Sequence, residues 1–212
     1  MAAPVNPRQL SPQRDQDATP FSTILTELCR ATGARCAALV DREGETVDYA
    51  GRGDPFDIRI LAAEGRLLLQ HVETSCLHSD RVAIMIRAEK KSFWVESLPE
   101  GYALVLQLPR RAVDLSSRAL SWARWGLCQE AGCGNVSERP MWCRVEVEET
   151  KGKARRPLRV TFDRESQQVT VLGVILQTCG HSDRSFRIRL ESGEERNLIR
   201  EPFGHWYLEA EL

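Results

Sequence analysis

Apolar side chains recur along this chain in two rhythms, a helical period and a strand period, and the switches between them mark its elements. Phe21, Ile24, Leu25, Leu28 and Cys29 form one stripe of a short amphipathic helix. Thr19 is suited to cap that helix, Pro20 to open it and Gly33 to stop it. Two strand-like runs follow, Cys36–Val40 and Thr46–Ala50, joined by the turn-forming sequence Asp41-Arg42-Glu43-Gly44; Gly51-Arg52-Gly53 ends the pairing. Asp54-Pro55 opens a second, longer helix. Its main apolar stripe is Ile58, Leu61, Ala62, Gly65, Leu68, Leu69, Val72 and Cys76. A thinner stripe, Ile60, Leu67 and His71, gives it more apolar surface than one sheet face covers. Either a helix of the same chain or a partner subunit is expected to take up the excess.

Three closely linked strands come next, over 81–87, 91–96 and 102–108, and Pro109 ends the sheet. Leu98-Pro99-Glu100-Gly101 is read as a type I turn. Val113, Leu115, Leu120, Trp122, Ala123 and Leu127 make a closing helix. Short loops then allow a five-stranded antiparallel sheet, with the long helix on one face and the terminal helices on the other, an α/β (α+β) domain over 19–127. Residues 1–18 are poor in large apolar groups and are expected to form a flexible tail. Residues 128–141 read as a linker. Beyond it, strand signals at Trp142–Val147, Leu158–Phe162, Gln168–Gln177, Ser185–Leu190, Glu195–Arg200 and Trp206–Leu208 predict a small all-β domain over 142–212, an SH3-like barrel.

Composition narrows the function. At 212 residues, with 42% hydrophobic and 28% charged side chains, the chain can build two cores and is not a disordered protein. The formal charge of -1 argues against a dedicated nucleic-acid binder. The start has no basic-then-apolar leader, and no apolar run is long enough to span a bilayer, so no membrane association and a cytoplasmic location are expected. Seven irregularly spaced cysteines fit reduced thiols.

Candidate chemistry is sparse. Cys128, Cys133 and Cys143, with Cys179 or His181, could offer zinc four ligands, but paired C-x2-4-C knuckles are lacking, and buried thiols are the favoured reading. The basic run 151–159, with Trp142, Phe162, Trp206 and Tyr207, could line a nucleic-acid groove, which gives the alternative reading of a nucleic-acid-associated β module. Against it, residues 138–212 hold 13 Lys/Arg and 13 Asp/Glu, so a solvated loop is favoured. His71, His78, His181 and His205 lack metal spacing, and no hydrolase, zinc-protease or Walker motif occurs. Gly51-x-Gly53 is too little for a nucleotide site. No enzyme activity and no cofactor are expected.

The element order, together with Leu28, Gly33, Ala38-Leu39-Val40-Asp41-Arg42-Glu43-Gly44 and the long helix after Asp54, resembles the roadblock (dynein light chain-like) family over residues 20–127. The resemblance implies a homodimer or heterodimer that pairs through the long helix and the central strand, joining two sheets into one. It also implies a small Ras-like GTPase or another roadblock protein as partner, and in bacteria a role in polarity and motility. The matching dimer surface would comprise Ile60, Leu67, His71, Val82, Ile84 and Ile86. No catalytic residue is transferred. Arg52, Arg81 and Arg87 are candidates for GTPase contact by position alone.

Overall fold

The computed structural model describes residues 15–75, 82–110, 115–133, 140–151, 156–162, 164–175, 184–201 and 204–210. The chain divides into two compact units, 1–137 and 138–212.

The first unit begins with α1, Pro20–Thr32. Thr19 caps it as expected: its hydroxyl accepts from the Ser22 N–H, and the Ser22 hydroxyl accepts from the Thr19 N–H. Strands β1 (Cys36–Val40) and β2 (Thr46–Gly51) form a hairpin, and α2 runs over Pro55–Ser75. Then come β3 (Ala83–Arg87), β4 (Lys91–Ser97), β5 (Ala103–Pro109) and α3 (Ser117–Ala131). The sheet is antiparallel throughout, in the order β2-β1-β5-β4-β3, and the short connections β1–β2, β3–β4 and β4–β5 each join neighbouring strands.

Strand alternation sends two sets of side chains to opposite faces. Cys36, Ala38, Val40, Tyr49, Val82, Val95, Ala103 and Val105 meet Ile58, Ala62 and Leu69 of α2 in one core. A Cβ on Gly65 would come within 3.0 Å of Val105, so the missing side chain lets α2 lie close on β5. The other face is covered by α1 and α3, which pack on each other, and Arg124 of α3 pairs with buried Glu96 of β4 at 2.9 Å.

Four expectations need correction. The tail does not extend to residue 18: Asp15 accepts hydrogen bonds from the Tyr49 hydroxyl and, at 2.7 Å, from Arg59. The linker does not begin at 128, because α3 continues to Ala131 and ends on left-handed Gly132, leaving Cys128 and Cys133 buried. The turn after Leu98 is not type I. The Tyr102 N–H donates to the Pro99 carbonyl, and both residues between them are left-handed, Glu100 at φ 59 and Gly101 at φ 83, as in a type I′ turn. Leu68, assigned to the core stripe of α2, is 48% exposed.

The second unit is a meander of β6 (Trp142–Glu149), β7 (Pro157–Phe162), β8 (Glu165–Ile175), β9 (Arg184–Leu190), β10 (Glu195–Arg200) and β11 (Trp206–Glu209). It is the expected small all-β barrel. Pairing of β11 with β6 closes it on six strands, which removes the free edges of an open sheet. Val145, Val160, Phe186, Ile188, Leu190, Leu198, Trp206 and Leu208 fill its interior.

Candidate functional site

Among the described residues no group of three or more His, Cys, Asp or Glu could hold a metal ion. Cys128 and Cys133 lie together at the end of α3, while Cys179 and His181 fall outside the described residues. Burial pushes the Cys128 thiol up to about 12 and raises Cys133 as well. Burial likewise lifts Cys29 to about 12 and Cys36 to about 11. Thiols so far above neutrality carry almost no thiolate, which makes them packing groups rather than nucleophiles.

The barrel gives the nucleic-acid alternative little to work with. Trp206 and Tyr207 are buried and present no stacking platform, while Trp142 and Phe162 are half-buried, Phe162 against the barrel core. Of the basic run, residues 152–155 lie outside the described residues. Several barrel arginines are already engaged: Arg196 with Glu194 at 2.6 Å, Arg189 with Glu195 at 2.7 Å and Arg200 with Glu149 at 2.9 Å. A depression of about 460 Å³ beside β8 mixes Arg159 and Arg189 with Glu148 and Glu191, without the single sign of charge that a phosphate backbone favours.

The surface of α2 is different. At 100° per residue, Ile58, Ala62, Gly65 and Leu69 point into the core, while Phe56, Ile60, Leu67 and His71 point away from it. Phe56 is 67% exposed, Ile60 42% and Leu67 56%, and with Leu68 they make an apolar ridge interrupted by exposed Glu64. Leu68 leans to the flank that also carries Leu61 and Val72, which, like half-buried Ile84, pack against the margin of the core. Ile86 shares the face of Ile84 two residues along β3 and is half-buried too. The candidates Ile60, Leu67, His71, Ile84 and Ile86 therefore lie on one side of the unit. Val82 does not join them: it is buried in the core beneath α2. Sequence reasoning missed Phe56 and Leu68, and the helical phase of Leu68, well off the core direction, was the available signal for one of them.

The strand of this surface is an edge strand, not a central one. Its polar groups can be assigned from the ladder. Ser97 N–H donates to Val82 O at 2.8 Å and Ala88 N–H to Lys91 O at 2.9 Å, with Ile84 opposite Val95 and Ile86 opposite Phe93. Antiparallel pairs alternate in bonding, so the backbone groups of Val82, Ile84, Ile86 and Ala88 face β4. Those of Ala83, Met85 and Arg87 face outward. No described strand pairs with them.

At the foot of the ridge a groove of about 940 Å³ runs between α2 and the ends of β1, β4 and β5. Asp54, Asp57 and Glu64 line its helical wall, Arg35, Lys90 and Lys91 the opposite one, and Ile60 belongs to both ridge and groove. Arg52 and Arg87 are exposed, while Arg81 falls outside the described residues.

The other edge strand, β2, is dressed by its own chain. Tyr49 N–H donates to the Asp48 carboxylate at 2.7 Å, and the Thr19 hydroxyl donates to the same carboxylate. Hydrogen bonds from Tyr49 and then Arg59 hold the Asp15 carboxyl below the usual carboxylate range. Burial, and next the bond to Asp15, raises Tyr49. A depressed carboxyl stays ionised at neutral pH, so this contact is intact there and is lost only as the solution is acidified through that lowered value.

No family model and no curated protein matches the chain. Solved structures are similar to part of it. Myxococcus xanthus MglB is 17% identical over 55% of this chain and 98% of that one, with a TM-score of 0.47. The gliding protein MglB from Thermus thermophilus is 23% identical over 55% of this chain and 94% of its own, at 0.44. A Roadblock/LC7 domain from Streptomyces avermitilis is 16% identical over 52% and 93%, at 0.42. The element order, the antiparallel sheet and the helices on its two faces in the first unit are those expected from the sequence.

Proposed function

We propose that this protein is a non-enzymatic regulatory scaffold: two copies join through α2 and β3, and the pair engages a small Ras-like GTPase or another roadblock protein. The observation that carries the reading is the uncovered ridge of Phe56, Ile60, Leu67 and Leu68 beside an edge strand with outward backbone groups at Ala83, Met85 and Arg87. Apolar contact contributes affinity, roughly 25 cal/mol for each Å² removed from water. Strand addition fixes the register. A two-fold axis beside β3 would set two such surfaces against each other and fuse two five-stranded sheets into one. The partner assignment follows from the roadblock-like architecture of the first unit. The barrel then adds a second surface of its own.

A regulator of this kind would act by ordering the GTPase's own switch segments and not by donating an arginine. The test uses a purified Ras-like GTPase from the same genome, charged with GTP or GDP. Preferential binding of the GTP form is expected. Arg52→Ala and Arg87→Ala are expected to change any stimulated hydrolysis by no more than about threefold, whereas loss of a true arginine finger costs about 10³–10⁵-fold. Absence of binding to every such GTPase in either state would overturn the partner assignment. A collapse of hydrolysis in either variant would overturn the ordering mechanism.

A further inference from the structure

The two edges of the sheet are treated unequally. At β3 the outward groups of Ala83, Met85 and Arg87 meet no described strand, and the neighbouring helix is apolar and exposed. At β2 the outward Tyr49 N–H is taken by Asp48, and a register shift between Leu39 and Val40 distorts the hairpin. Asp48, Tyr49 and Ala50 are all buried although they lie on an edge strand.

The segment just before α1 accounts for part of that cover. Thr19 bonds to Asp48, which shares a face with Ala50, on the side of α1. Four residues earlier, Asp15 bonds to Tyr49 and Arg59, on the opposite face beneath α2. The chain therefore passes from one face of the sheet to the other around the outer margin of β2. Arg59 also stacks over the Tyr49 ring at 5.5 Å, which gives the far anchor a firm seat.

We infer that Asp15–Thr19 is a clasp that closes the β2 edge to strand addition, and so restricts assembly of this protein to a single closed pair through β3. The inference rests on the pairing proposed above for β3. A sheet with two receptive edges would add copies head to tail, β2 of one against β3 of the next, and grow without closure. Closing one edge leaves the self-complementary contact as the remaining route. The clasp thus selects a dimer over a fibre.

Sedimentation of the full chain over a range of concentrations tests this. Asp15→Ala combined with Asp48→Ala removes both anchors; Tyr49→Phe removes one hydroxyl and keeps the ring. The paired variant is expected to form assemblies larger than two copies at concentrations at least about tenfold below any at which the parent does so, and Tyr49→Phe to move the same threshold by about fivefold, the worth of one hydrogen bond. Adding Met85→Pro should abolish the growth. Circular dichroism identifies unfolding of the double variant, in which case Tyr49→Phe decides. Variants that sediment like the parent would overturn the clasp, as would growth that survives Met85→Pro. A parent that is a single chain at all concentrations would instead overturn the pairing, and the clasp would still be judged by the difference between variant and parent.

Discussion

Met85→Pro is expected to split the paired protein into single chains while leaving the fold of each chain intact. Proline lacks an N–H and cannot donate to a neighbouring strand, so within sheets it survives where its nitrogen faces away from the ladder. The bonding parity of β3 puts Met85 in that position, since the pairs toward β4 are those of Ile84 with Val95 and Ile86 with Phe93. The same change one residue on, Ile86→Pro, removes a bond to β4 and should destabilise the fold itself by on the order of 3 kcal/mol. Thermal melting and sedimentation of the two variants separate the effects. A Met85→Pro protein that melts early, or one that remains paired, would contradict the assignment of the outward edge.

Leu67→Glu should have the second large effect, again on assembly and not on the fold. Leu67 is 56% exposed in one chain, so a charge there costs the isolated unit little. In the pair, each copy would lose the burial of one leucine, about 1.5–3 kcal/mol, and two carboxylates would approach near the axis. The dissociation constant is therefore expected to rise by at least about 100-fold, since each 1.4 kcal/mol is worth a factor of about ten. Leu69→Ala, two positions along α2, provides the contrast. Leu69 is fully buried in the core, and its truncation should cost about 2–5 kcal/mol of folding stability. If Leu67→Glu weakened the fold as much as Leu69→Ala, the ridge would be part of the core and not a contact surface.

Much of this architecture was legible because it is locally encoded. Thr19-Pro20 and Asp54-Pro55 open α1 and α2 where expected, since capping and proline geometry act within one turn. The hairpin of β1 and β2 and the six strands of the barrel follow the strand-like runs and turn residues that predict them. What escaped was non-local. Nothing in the residues of β3 states that it lies at an edge, because strand order depends on which runs pair across the sheet. Val82 resembles Ile84 as a residue, yet it lies in the core beneath α2 while Ile84 remains half-exposed. The Asp15 anchor joins residues 34 positions apart, and its segment has the composition of a free tail. Glu100 sits left-handed where composition favoured a type I turn.

The functional surface was legible to a similar depth. A second apolar stripe on a helix signals that something beyond the sheet is covered, and Ile60, Leu67 and His71 lie on that outward side. The stripe alone did not draw the ridge's limits. Phe56 sits in the first turn of α2, before the period is established, and Leu68 belongs by spacing to both stripes until the helix is rotated onto the sheet.

Residue-specific amide exchange at Met85 tests pairing through β3 most directly. At concentrations where the protein is paired, the Met85 N–H should exchange at least about 1000-fold more slowly than an exposed amide, and dilution should remove that protection while Ile84 and Ile86 keep theirs. A Met85 amide that exchanges freely at every concentration, beside protected Ile84 and Ile86, would contradict pairing through β3.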